Sequence, residues 1–328
     1  MRISVEKQTP AMALTAMIVI IVLSSVRHAL SPFGNELAGA RVVPMVAEYL
    51  SAAERAWPIT CIAVSALLLT AAGVVVGRIV GRFRLYPVQT FLTMPLFGFV
   101  SCGIFISGDM LAASLTSLLG ALALNYVCRG YLRERDLSAM LYAGLCIGAM
   151  MLISTSGAVY VAAALLAVFI LSFSTRELFI LLTAIALPVG VNCYAEWALG
   201  GDFLTPVLRF RDALLADSGV SSFGDDAVCA LVLCGLLGFA LVSSTMLFLA
   251  NRFMVSLKSR GILIYNVVLW LLSVAMFALP SSTPADFAVA AVPMSVIMPV
   301  VFIRERERLS AILYLSLWAV FMLHLMYL

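Results

Sequence analysis

Residues 227–250 read AVCALVLCGLLGFALVSSTMLFLA, with no charged side chain at any position. Wound as an α-helix at 1.5 Å per residue, the run would be about 36 Å long, enough to cross a hydrocarbon layer of about 30 Å. Inside lipid no water can meet an unpaired backbone N–H or C=O, so such a segment is stable only as a helix whose hydrogen bonds close within it. Ten more apolar runs near span length lie on either side, at 11–26, 58–78, 87–107, 110–127, 138–154, 157–173, 178–197, 262–279, 286–303 and 310–327. The expected fold is all-α, a polytopic integral membrane protein of about eleven transmembrane helices, with residues 1–328 as a single transmembrane domain.

Composition points the same way. Of the 328 residues, 63% are hydrophobic and 11% charged, and the mean hydropathy is +1.11. A soluble domain carries about a quarter of its residues as charges. Soluble enzymes, nucleic-acid binders and disordered scaffolds are excluded on that ground. The net charge of +3 is too small to argue for a polyanionic partner. Seven cysteines without a CxxC spacing read as small core residues, and two histidines, His28 and His324, leave no material for a histidine-rich metal site.

Basic loops stay on the cytoplasmic side of a membrane, so the distribution of Lys and Arg gives an orientation. Alternate breaks between the runs place fifteen of them on one face, from Arg2 and Lys7 through Arg78, Arg129 and Lys258 to Arg308. The other face has five: Arg27, Arg41, Arg55, Arg209 and Arg211. The N-terminus is therefore expected inside and the C-terminus outside, in a bacterial inner membrane. The first run, AMALTAMIVIIVLSS, is taken as a span and not as a cleaved leader, because no small-x-small site follows cleanly in VRHALSPFGNEL.

Two outer loops, about 27–57 and 198–226, are longer than a connection needs. In the first, Val46, Tyr49, Leu50, Ala53 and Trp57 recur at helical spacing, with Glu48, Ser51, Glu54 and Arg55 opposite. That is the pattern of an amphipathic helix lying in the membrane interface. The second contains FLTPVLRFRDALLA, also expected on the outer leaflet. Gly73, Gly77 and Gly81 form a GxxxGxxxG run, and Gly144 with Gly148 a GxxxG. Their missing side chains permit close helix approach, within the chain or across a dimer face.

The spans lack the titratable midplane group that ion-coupled transport needs, Asn125 and Asn192 being the most polar residues expected there. Chemistry at the membrane surface is a different matter. A carboxylate that takes a proton from an acceptor, and cations that steady a departing phosphate, are its minimum on a lipid-phosphate-linked substrate. Asp109, in the tight SGDM turn, and Glu36, after the first span, are the candidate catalytic carboxylates, with Mg²⁺ or Mn²⁺ as a candidate cofactor. Arg27, His28, Arg209 and Arg211 are candidate ligands of the lipid phosphate, arginine by paired hydrogen bonds. The plain reading of each acidic residue is a solvated loop charge, and Asp109 can also cap the helix it precedes.

The stretch SGDMLAASLTSLLGALALNYVCRGYLRERDLSAMLYAGLCIGAMMLIST resembles the middle of GT-C-type membrane glycosyltransferases that use polyprenyl-phosphate sugars. The resemblance puts Asp109 at the family's outer-turn aspartate, Arg129, Arg133 and Arg135 in its basic inner loop, and Gly144 and Gly148 on its return helix. It departs after the first span, where the family's acidic pair is reduced to Glu36, and after the return helix, where Ser154, Thr155 and Ser156 replace a lysine. Extended to RELFILLTAIALPVGVNCYAEW, the same stretch also resembles a functionally uncharacterised family of polytopic Bacteroidetes inner-membrane proteins, which implies location without activity. Three functions in envelope biogenesis follow as expectations: a GT-C-like transferase, a flippase or permease for an envelope precursor, and a structural or assembly subunit. The expected partners are membrane lipids, a polyprenyl-phosphate-linked sugar, and a membrane protein or a second copy of the chain, but no nucleic acid.

Overall fold

The computed structural model describes residues 8–30, 44–103, 109–132, 136–216, 227–251, 255–279, 281–283 and 285–327. Among these residues the chain is all helical, without strands. Eight helices are long and apolar enough to cross a membrane. They are α1 (Pro10–Leu30), α3 (Pro58–Phe83), α5 (Met110–Leu132), α8 (Thr175–Ala198), α10 (Ala227–Ala250), α11 (Leu257–Met276), the pair α12 (Asp286–Ile297) and α13 (Pro299–Arg304), and α14 (Glu307–Tyr327). Shorter apolar helices are α4 (Thr93–Gly103), α6 (Leu137–Ile153) and α7 (Gly157–Leu171). Two amphipathic helices, α2 (Met45–Ala56) and α9 (Thr205–Leu215), complete the set. The chain is a polytopic helical membrane protein.

Each of the eleven apolar runs falls on one of these helices, with two local differences. The run 87–107 is helical only from Thr93 within the described residues, because Pro87 lacks an N–H and disfavours helix at Tyr86; residues 84–92 bend instead. The run 286–303 is broken at Met298 and Pro299. Every residue of α12 is buried, as expected of a helix apolar on all sides. It packs on α4, α5 and α11 at the centre of the bundle. Proline takes an N–H from the ladder and leaves carbonyls to be met by other groups. Tyr86 donates its hydroxyl to the Val296 carbonyl, and Ser244 Oγ donates to the Met298 carbonyl at 2.8 Å while accepting the Val301 N–H at 3.2 Å.

The glycines face neighbouring helices of the same chain. A Cβ on Gly144 would lie 2.6 Å from the Leu181 carbonyl oxygen, and one on Gly148 3.0 Å from Pro188 Cδ and closer still to the Ile185 oxygen. Thus α6 meets the backbone of α8. Gly73 instead meets Met17 and Phe97, Gly77 meets Met94, and Gly81 has only Phe91 at 4.0 Å. The polar inventory of the spans needs correction. Asn266 of α11, passed over in the sequence reading, is fully buried and gives its amide to the Ile262 carbonyl at 2.9 Å, whereas Asn125 and Asn192 are only partly buried. His324 of α14 is also buried, at 3% exposure.

Candidate functional site

The first turn of any helix leaves N–H groups without an intrahelical acceptor. At the start of α5 the acceptor comes from another helix: Glu54 Oε1 takes the Leu111 N–H at 2.7 Å. Glu54 can do so because α2 turns Ala47, Leu50, Ser51 and Glu54 toward the protein and leaves Tyr49 and Trp57 exposed. The sequence reading put Glu54 on the outward polar side. The need of the α5 terminus for a negative acceptor turns it inward. Burial pushes its carboxyl up to about 7, opposed by the Leu111 N–H and assisted by the negative charge of Asp109.

Asp109, directly before α5, lines a cavity of about 40 Å³ together with Asp286, Thr116, Ser154, Thr155 and Thr283. Such a space admits an ordered water or one small polar group. Its walls come from distant parts of the chain: α2 gives Ala47, α6 ends on it at Ile153, α9 gives Ala213, and Thr283, Ala285 and Asp286 close it. Asp286 is 6% exposed, and its Oδ2 accepts the Thr283 N–H at 2.8 Å and the Thr283 hydroxyl at 3.2 Å. Asp286 is not among the candidate residues expected from the sequence. The signal that could have found it is the T-x-x-D spacing of Thr283 and Asp286 ahead of an uninterrupted apolar run, the mark of a helix start.

The candidate phosphate ligands divide. Arg209 reaches Glu48 at 3.6 Å and so ties α9 to α2; it is not itself among the cavity walls, although Ala213, one helical turn on, is. Arg211 pairs with its neighbour Asp212 at 2.8 Å and is exposed, away from the cavity walls. Arg27 and His28 end α1 and are not among those walls. Glu36 lies outside the described residues, as do Arg133 and Arg135. Among the described residues no three His, Cys, Asp or Glu side chains form a group able to hold a metal ion. The donors on offer to Mg²⁺ or Mn²⁺ are the carboxylates of Asp109 and Asp286 and the hydroxyls beside them, a set that such hard ions complete with water.

Compared with known proteins, the chain matches no family model, no curated protein and no solved structure.

Proposed function

We propose that the Asp109 cavity is the proton-accepting pocket, sized for the acceptor hydroxyl, of a GT-C-like glycosyltransferase acting on a lipid-phosphate-linked sugar at the outer face of a bacterial inner membrane. The observation that carries the reading is the meeting of Asp109 and Asp286 in one hydroxyl-lined cavity, with Glu54 beside Asp109 and holding its proton near neutral pH. Neighbouring carboxylates are what acid–base group transfer uses. In this mechanism Asp109 takes the proton of an acceptor hydroxyl as its oxygen attacks the sugar carbon that bears the phosphate. The bond from that carbon to the phosphate oxygen breaks, and Arg209, released from its pair with Glu48, steadies the leaving phosphate. Glu54 and Asp286 hold the carboxylate and the α5 terminus in register.

The reading includes eleven crossings, with the N-terminus inside. Three contacts support the count. The Glu54–Leu111 bond keeps the starts of α3 and α5 at one end, so α4 has to carry the chain back between them. The end of α6 lines the Asp109 cavity, while its start meets α5 through Arg129 and Asp136 at 3.0 Å. Val189 and Asn192, late in α8, share a small cavity with Met151 and Leu152, late in α6, so α7 has to return the chain to the other end before α8 begins.

The test is transfer from polyprenyl-phosphate sugars by the purified protein in vesicles, scored as release of the polyprenyl phosphate. Asp109→Asn should keep the protein folded and lower turnover by at least about a hundredfold, the usual worth of a general base. Full turnover in Asp109→Asn and in Asp286→Asn alike would remove the transferase.

A carrier is the second reading, and one observation favours it. The buried, proline-broken α12–α13 runs from Asp286 at this cavity to a second cavity lined by Val300, Ile303 and Arg304. Broken helices joining opposed sites are a feature of alternating-access carriers. Movement of a lipid-linked sugar across vesicles by Asp109→Asn protein would select that reading.

A further inference from the structure

One helix length from the Asp109 cavity, α3 ends on an unusual residue. Arg84 has φ 46 and ψ 53, the left-handed conformation that closes many helices. Glycine or asparagine normally fills that position, because a Cβ there is strained. Arginine accepts that strain here, its charge is favoured at a helix C-terminus, and it lines the space beyond the helix end. The segment that follows curls over the end of α3, fixed by the Ser259 hydroxyl on the Arg84 carbonyl at 3.3 Å and by the Tyr86 hydroxyl on the Val296 carbonyl. Beneath it lies a cavity of about 370 Å³ whose walls include Val80, Gly81, Arg84, Gln89 and Thr90 and, among the described residues, no carboxylate. That volume is in the range of small-molecule sites.

The donors that line this cavity suit an anion. Arg84 offers a planar fork suited to two phosphate oxygens, Gln89 an amide, and Thr90 a hydroxyl that accepts the Leu92 N–H at 3.3 Å and keeps its own proton to give. Beyond Tyr86 and Pro87, which line both spaces, a second cavity adds Arg304 and Asn251 above an apolar floor of Leu247, Phe248 and Val300. We infer that the Arg84 cavity binds a phosphate-bearing ligand, with the phosphate on the Arg84 guanidinium. Anionic phospholipid headgroups and soluble phosphates share this chemistry. The site is separate from the Asp109 cavity and does not depend on the transferase reading.

The test uses the full-length protein in detergent, with binding of phosphatidylglycerol, of inorganic phosphate and of pyrophosphate followed by mass spectrometry of the intact complex and by thermal shift. Wild type should bind one of these probes. Saturation by phosphatidylglycerol alone identifies a lipid headgroup, and saturation by phosphate or pyrophosphate a soluble ligand. Arg84→Gln should weaken that binding by about tenfold or more, the worth of one charge-assisted hydrogen bond. Arg84→Gly separates binding from folding: it relieves the left-handed strain, so the ligand-free protein should melt higher while affinity falls as in Arg84→Gln. Binding of none of the probes by wild type, or unchanged affinity in both variants, would overturn the site.

Discussion

Glu54 does two things with one carboxylate: it caps α5 across a helix–helix contact, and it holds its proton to about pH 7. Its ordinary value is 4.5, so the folded state raises the proton affinity. A carboxyl raised in this way contributes stability that is fully present below the ordinary value and is lost as pH climbs through the raised one. Asp136 is the opposite case. The Ser138 hydroxyl first, then the Ala139 N–H and Arg129, hold it below its usual range, so its contribution is present above that range and is lost only in stronger acid. The two windows do not overlap. Between pH 4.5 and about 7 the wild-type melting temperature should fall relative to that of Glu54→Gln, since glutamine can still accept the Leu111 N–H and has no proton to lose. Thermal unfolding in detergent across that range checks it, and identical slopes for the two proteins would detach Glu54 from the effect.

The helix contacts differ in how much they can give. Gly144 and Gly148 face backbone atoms of α8, which cannot move without moving the helix, whereas Gly77 faces the flexible end of Met94. Overpacking a rigid contact costs about 1–3 kcal/mol, and a methionine can swing aside for less. Gly148→Ala should therefore lower unfolding stability by about 2 kcal/mol, and Gly77→Ala by clearly less, in the same denaturation series. Equal losses would mean that α6 and α8 separate more readily than their spacing implies. This difference was beyond the reach of the sequence. A GxxxG spacing marks a helix face that can be approached, but whether a main chain or a side chain approaches it depends on the partner helix. Helix positions were readable because length and apolarity are local properties, as in Ala227–Ala250. The break at Pro299 was in principle readable too, since the residue carries its consequence with it. Asp109 could be singled out from its turn. Its neighbours could not, because Glu54 and Asp286 stand 55 positions before it and 177 after, in α2 and α12, and only the bundle brings them round it.

For the whole molecule the open quantity is parity. Eight long helices alone would return the C-terminus to the side of the N-terminus, and eleven crossings put the two ends on opposite sides. The short helices decide it. At 1.5 Å per residue α7 measures about 22 Å and α4 about 16 Å within its described residues, less than the hydrocarbon thickness of about 30 Å. On the proposed path both carry the chain from one end of the bundle to the other, and a bilayer can thin locally, or flanking residues extend, to meet a short span. Along that proposed path charge chooses the direction, since it gathers fifteen basic residues on one face against five on the other, and these cost much to translocate. In a protein whose native cysteines are replaced, Arg211→Cys of α9 should react with a membrane-impermeant maleimide added to intact spheroplasts. Lys258→Cys, exposed at the start of α11, should react only after the membrane is opened. Reaction of both from the same side would undo the eleven-crossing path, and with it the assignment of Asp109 to the compartment where a lipid-linked sugar waits.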